Sequence, residues 1–296
     1  MASAERFGKW RRSEGLRGWL MVSPTALYAL AFLAVPLVAI VALSFVSQTG
    51  VVTYDYTPTW KNYIEAFVEP QYRALILRSV IISLAVTALT VLTAFPVAYF
   101  ISFHVTPSRK SLWLFLITIP FWTSYLIRVF LWKVILGYNG VVNSALLWLG
   151  VIDEPLGWIN YNANAVVLTL AHAYAPFAIL PIFVALEKID RSLLEAGQDL
   201  GETRFQTFLR VTLPLAVPGV VAAVLIVFIP TIGDYVTPRL IGGKDGTMIA
   251  NLIQSQFLRQ NNAPLGSALA VISMITVAAI SLVFVFLNRK NMRGGQ

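Results

Sequence analysis

Apolar residues gather in this chain into six blocks, Trp19 to Phe45, Leu75 to Phe103, Leu112 to Leu136, Ala165 to Leu186, Leu215 to Ile232 and Leu265 to Leu287, with polar segments between them. Each block is long enough, at about 20 residues, to cross the hydrocarbon core of a bilayer as a helix. None alternates apolar and polar positions with period two, so the blocks predict helices rather than barrel strands. The expectation is an all-α polytopic membrane protein, with six helices over 19–287 and short segments at 1–18 and 288–296. Two further short helices are expected in the polar segments, at Val141 to Leu149 and Thr247 to Leu258. The first block follows basic residues and contains the small-residue triplet Ala29-Leu30-Ala31, as a cleaved signal would. Its apolar run continues to Val46, too long for a signal core, so an uncleaved anchor is expected.

Composition agrees with membrane residence: of 296 residues 57% are hydrophobic, 12% are charged, and the mean hydropathy is +0.73. The charges are unevenly placed. With the N-terminus inside, fourteen Lys and Arg fall on the inner side, five in the outer loops (Lys61, Arg73, Arg239, Lys244, Arg259) and three within or near spans (Arg78, Arg128, Lys133). That bias predicts that both termini are cytoplasmic, and it gives the net charge of +8 a topological origin instead of a nucleic-acid one. The chain has no Cys and only two His, His104 and His172, which argues against disulfides and against a metal centre. His172 is expected to be a packing residue. Trp19, Trp113 and Trp132 lie near span ends, where interfacial aromatics belong.

One polar segment, about 187–214, carries a denser set of signals. Ser192-Leu193-Leu194-Glu195 has capping-box spacing, Gly201 is the residue type that ends a helix in a left-handed cap, and Thr203-Arg204-Phe205-Gln206 is a second capping box. Phe205, Phe208, Leu209 and Thr212 then follow helical spacing until Pro214, which is expected to break the helix. A compact helical knuckle with an exposed aromatic face is predicted.

The knuckle reads Glu195-Ala196-Gly197, then Gly201 four residues on, then Val211-Thr212-Leu213-Pro214 after nine more. A bare Glu-Ala pair would fit any amphipathic cytoplasmic loop. The full spacing resembles the EAA loop of binding-protein-dependent ABC importer permeases, with Gly197 and Val211 as mild departures from Ala and Ile. The resemblance implies a type I ABC importer transmembrane domain whose Glu195, Ala196, Gly197, Asp199, Gly201, Phe205, Phe208, Leu213 and Pro214 couple to a cytoplasmic ATPase by a helix-in-groove contact.

The ATPase would be another polypeptide. No phosphate-binding loop occurs, and Gly242-Gly243-Lys244-Asp245-Gly246-Thr247 only mimics the composition of one. ATP and Mg would therefore be bound by that partner, with no cofactor in this chain. Longer strings, Pro120-Phe121-Trp122-Thr123-Ser124-Tyr125-Leu126-Ile127-Arg128, Leu146 to Asp153 and Gly233-Asp234-Tyr235-Val236-Thr237-Pro238, resemble the spermidine/putrescine permeases. This implies a second non-identical permease subunit, two cytoplasmic ATPase subunits, a periplasmic solute-binding protein and a place in the bacterial inner membrane. Related importers carry opines, amino-acid derivatives or aminophosphonates, so the solute stays open within that set. A secondary transporter or channel is the rival from another class, although the acidic or His residues deep in spans that ion coupling needs are missing. A membrane scaffold without transport is a third.

Asp234 is the one carboxylate expected at a span rather than in a loop or terminus, at the outer end of the fifth. Two partners compete for it. About 24 Å of helix rise to Arg128 and about 28 Å to Asp234 put the two at similar depth, where they could form an ion pair. Alternatively Asp234, with Trp122, Tyr125 and Tyr235, could line a path for an organic cation through charge and cation–π attraction.

Overall fold

The computed structural model describes residues 2–50 and 53–293, so Met1 and residues 294–296 of the expected terminal segments lie outside the described residues. The chain opens with α1 (Ala2–Ser44). A two-residue antiparallel ladder follows, β1 (Ser47–Gln48) on β2 (Tyr54–Asp55), and then the short α2 (Lys61–Val68). The second long helix is α3 (Pro70–His104). Next come α4 (Pro107–Thr118), α5 (Tyr125–Ile135), α6 (Val141–Trp148) and the long α7 (Ala163–Glu187). The knuckle is α8 (Arg191–Asp199) and α9 (Arg204–Thr207), leading into α10 (Leu213–Ile232). Two short helices, α11 (Val236–Ile241) and α12 (Ile249–Leu258), precede α13 (Ala263–Arg293).

Five helices among the described residues are long and apolar enough to cross a membrane, and they match five of the six expected blocks. The third block departs from expectation. Instead of one helix from Leu112 to Leu136, α4 passes through a 3₁₀ turn at Ile119–Trp122 and α5 leaves at 88° to it. Pro120 is the local cause, because its ring cannot donate and crowds the preceding turn. Thr123 and Ser124 then adopt extended backbone, with Thr123 Oγ1 donating back to the Pro120 carbonyl at 2.7 Å. The bent pair nevertheless runs from the Glu187 end of α7, where Lys110 sits, to its Ala163 end, where Lys133 lies over the Tyr161 ring.

The core is built on α7, which packs against α3 and α10. The C-terminal ends of α3 and α7 meet, since Ser102 Oγ donates to Glu187 Oε1 at 2.6 Å, so these two helices run parallel and α10 runs against them. Close approach of α10 to α7 depends on Gly219: a Cβ there would stand 2.5 Å from both the Ala185 methyl and the Pro181 carbonyl oxygen. Val166, Leu170, Ile182, Leu186, Ala223 and Val227 are buried in this contact region. A second cluster, with Phe228, Leu265 and Leu269, joins α10 to α13 and α12. By contrast none of the best spanning window of α1 is buried, and it touches the rest chiefly through α13.

Candidate functional site

The knuckle forms as two helices joined by a left-handed glycine. Asp190 caps α8, its carboxylate accepting the Ser192 backbone N–H at 3.0 Å, and that hydrogen bond holds the Asp190 carboxyl below its ordinary pKa. The capping box expected at Ser192 is therefore not the one used. Ser192 already lies in the first turn of α8, because the Asp190 carboxylate, two residues upstream, takes the orphan donor first.

Gly201 adopts a positive φ in the left-handed region, and the turn around it is a complete Schellman motif. The Gly201 N–H donates to Gln198 O at 2.9 Å and the Glu202 N–H to Gly197 O at 3.1 Å. The second box is present as expected, with Thr203 N–H donating to Gln206 Oε1 at 2.9 Å and Gln206 N–H to Thr203 Oγ1 at 3.3 Å. Arg210 closes the turn from outside on Glu202 at 2.8 Å.

Two expectations for the knuckle fail. Pro214 does not break the helix. A π turn at Phe208–Thr212 carries the chain without interruption from α9 into α10, and the wider turn leaves room for the Pro214 ring. Nor do Phe205 and Phe208 form one exposed aromatic face, although they are a single α-helical turn apart. The Phe208 ring packs inward at 5.8 Å from both Phe95 and Tyr99 of α3, whereas Phe205 is 69% exposed. Glu195, Ala196 and Asp199 are exposed, Gly197 is buried towards Thr207, and Leu213 and Pro214 lie at the exposed start of α10. Leu200, 86% exposed beside Gly201, adds an apolar side chain that the periodicity did not single out, since it falls at the cap and outside either helical repeat.

The knuckle is fastened to the bundle at Glu187. Its Oε1 accepts from Ser102 and from Lys110, both at 2.6 Å, and Arg191 reaches the Ser102 carbonyl at 3.4 Å. One carboxylate thus ties together the ends of α3, α4 and α7, and Arg191 joins α8 to them through the Ser102 carbonyl. Sequence reasoning passed over Glu187; the only signal was an acid as the last residue of a span.

At the other end of α10, the partly buried Asp234 carboxylate accepts three hydrogen bonds from the protein. Oδ1 accepts the Val236 N–H at 2.9 Å and the Thr237 N–H at 3.4 Å, closing the start of α11, and Oδ2 accepts the Tyr125 hydroxyl at 2.5 Å. The Tyr125 oxygen also shares a hydrogen bond of 2.6 Å with Thr237 Oγ1. The Arg128–Asp234 ion pair is not formed. Arg128 instead places its guanidinium carbon 5.9 Å from the centre of the Tyr125 ring. Tyr125, one helical turn before Arg128 on α5, takes the Asp234 carboxylate in its place.

Asp234 follows α10, which stops at Ile232, and so lies at the end of the fifth span where the sequence places it. Of the expected pathway residues, Tyr125 and Asp234 are in contact, while Trp122 is 80% and Tyr235 44% exposed. His172 is a hydrogen-bonded residue on α7, its Nδ1 accepting from Trp132 Nε1 at 3.1 Å. Beyond this site, at the Ala163 end, an open cleft of about 390 Å³ lies between Tyr161, α11 and α12, with Arg239, Asn251 and Arg259 in its walls.

Comparison with known proteins gives a consistent picture. Residues 94–293 match the family described as binding-protein-dependent transport system inner membrane component. The chain is 37% identical over 265 residues to the spermidine/putrescine transport system permease protein PotB of Haemophilus influenzae, covering 88% of this chain and 91% of that one. It is 33% identical over 267 residues to PotB of Escherichia coli K12, covering 90% and 93%. A solved bacterial alginate ABC transporter, in complex with an alginate pentasaccharide-bound periplasmic protein, superposes with a TM-score of 0.71 at 20% identity, covering 94% of this chain and 96% of that one; this is likeness of fold.

Proposed function

The chain belongs to the family of binding-protein-dependent transport system inner membrane components, and from that premise we propose that it is one of two non-identical permease subunits of an importer for a polyamine such as spermidine or putrescine. It is a multi-pass inner-membrane transport subunit and not an enzyme. Membership of a binding-protein-dependent family displaces the secondary-transporter, channel and scaffold readings. The observation that carries the polyamine reading is the 33–37% identity, over about nine tenths of the chain, to spermidine/putrescine permeases. An opine, amino-acid derivative or aminophosphonate is less well supported by those relatives.

Geometry supports a division of labour along α10. In this reading the knuckle faces the cytoplasm, as the Lys and Arg distribution favours. Its exposed Leu200, Phe205 and Leu209 enter a groove on one of two ATPase subunits, which bind ATP and Mg. Glu195, Ala196 and Asp199 rim that contact, Gly197 and Gly201 shape it, and Phe208, Leu213 and Pro214 join it to the bundle. The arginine-walled cleft at the opposite end offers a soluble binding protein a polar surface. Between them the solute passes Trp122 and Tyr235, whose open rings suit a cation, beside the negative charge of Asp234 that Tyr125 holds in place. The knuckle moves as one body because its turns are closed by their own hydrogen bonds, and the uninterrupted helix from α9 into α10 carries that motion inward.

Uptake into proteoliposomes tests the assignment. Labelled spermidine should accumulate only with both permeases in the bilayer, the ATPase and ATP inside, and the binding protein outside. Accumulation by this chain alone, or none with the full set, would overturn it.

A further inference from the structure

Arg128 is the ionisable group in the bundle whose chemistry the site leaves unused. Its Nε and Nη1 are enclosed and have no hydrogen-bond partner, which leaves Nη2 as the one open guanidinium nitrogen. The residue lies one helical turn past the bend of the third span, on α5, beside the Tyr125 ring. Asp234, the nearby acid, is engaged by Tyr125 and by two backbone N–H groups. His172, the other titratable neighbour on α7, already accepts from Trp132 and offers Arg128 no negative charge. A guanidinium held inside a bundle is costly unless an anion meets it, and with two nitrogens enclosed it cannot snorkel to the headgroups.

We propose that Arg128 receives a carboxylate from the second permease subunit, which docks on the exposed face of α5. The inference rests on the two-permease reading above. A carboxylate arriving at the open side meets Nη2 directly and neutralises the charge of the whole guanidinium, while Nε and Nη1 stay enclosed. Leu126, Ile127, Phe130, Leu131 and Val134 are exposed along the adjoining face of α5, giving the contact an apolar flank. Charge complementarity decides the occupant: a polyamine is a cation and is repelled here, whereas a protein carboxylate neutralises Arg128 and clears the path for the cationic solute. The same chemistry could arrive on a solute that bears a carboxylate, and the experiment separates the two sources.

The test compares wild type with Arg128→Met, which keeps length and removes charge, and Arg128→Lys, which keeps charge without the fork. Each tagged chain is co-expressed with the second permease, extracted into nanodiscs and assayed for the amount of second permease recovered. Arg128→Met should cut recovery about tenfold, because it strands the partner's buried carboxylate, while raising the thermal midpoint of this chain purified alone. Arg128→Lys should recover more than Arg128→Met. Undiminished recovery with well-folded Arg128→Met overturns the inference while the importer reading stands. If uptake of a carboxylate-bearing solute alone then falls, the anion comes on the solute. A wild-type chain that recovers no second permease overturns the two-permease reading and this inference with it.

Discussion

The knuckle and the Tyr125–Asp234 contact stand at opposite ends of one continuous helix, yet they are held together in opposite ways. Every bond that shapes the knuckle closes between residues 190 and 210: the Asp190 cap, the Schellman turn, the Thr203–Gln206 box and the Arg210–Glu202 pair. The other site is closed by partners 109 and 112 residues apart in the chain. A locally closed unit can be damaged without unfolding its neighbours, whereas a contact between α5 and α11 exists only if the whole bundle has assembled.

The sharpest way to break the contrast is to damage the helix that both regions share. Gly219→Val places methyl groups where α7 leaves no space, since even a Cβ would lie 2.5 Å from the Pro181 carbonyl oxygen. Overpacking of this kind should cost about 3 kcal/mol and should be read as a large fall in thermal midpoint, with ATPase binding and uptake lost together. A wild-type midpoint would show that α10 is not clamped by α7.

A smaller effect is expected from Tyr125→Phe. The hydroxyl lost here bonds both Asp234 and Thr237. Stability should fall by roughly 1–3 kcal/mol, while ATPase binding at the knuckle is retained. Combined with Asp234→Asn the losses should be less than additive, because both changes remove the same contact. Strict additivity would mean that Asp234 acts through something other than Tyr125.

Gly201→Val should have the smallest energetic effect. Nothing lies near a Cβ at this position, so only the left-handed backbone is penalised. A β-carbon in that conformation costs on the order of 1 kcal/mol. The bundle should insert and the Tyr125 contact should form, but recovery of the ATPase in pull-downs and ATP-driven uptake should drop. Unchanged uptake would remove the knuckle from the coupling route.

These differences also explain what could be read from the residues alone. Five spans were legible because apolar length is a local property, and the Gly201 turn and Thr203 box were legible because their rules span only a few residues. Two prolines show the limit. Pro120 sits inside an apolar block that reads as one helix and bends it, while Pro214 reads as a stop and is accommodated by a π turn. Proline chemistry is the same in both; the backbone around it decides the outcome, with extended Thr123 and Ser124 in one case and packed Phe208 in the other. The expected Arg128–Asp234 pair does not form because the Tyr125 hydroxyl and two backbone N–H groups already take the Asp234 carboxylate. Tyr125 was placed at the site from the chain, but its bond to Asp234 depends on a bend that no periodicity encodes. Glu187 was missed for a related reason: its partners Ser102 and Lys110 come from helices far away in sequence.

The π turn at Phe208–Thr212 also sets an angular phase. One residue more than an α-helix would use is spent there, and each residue in a helix turns its successors by about 100°. Deleting a single residue from that turn would therefore swing α8 and α9 roughly a quarter of the way around the axis of α10, aiming Leu200 and Phe205 away from whatever they had faced. Chimeras that graft a knuckle from one permease onto the spans of another must match residue count across this turn, even where the grafted side chains are identical.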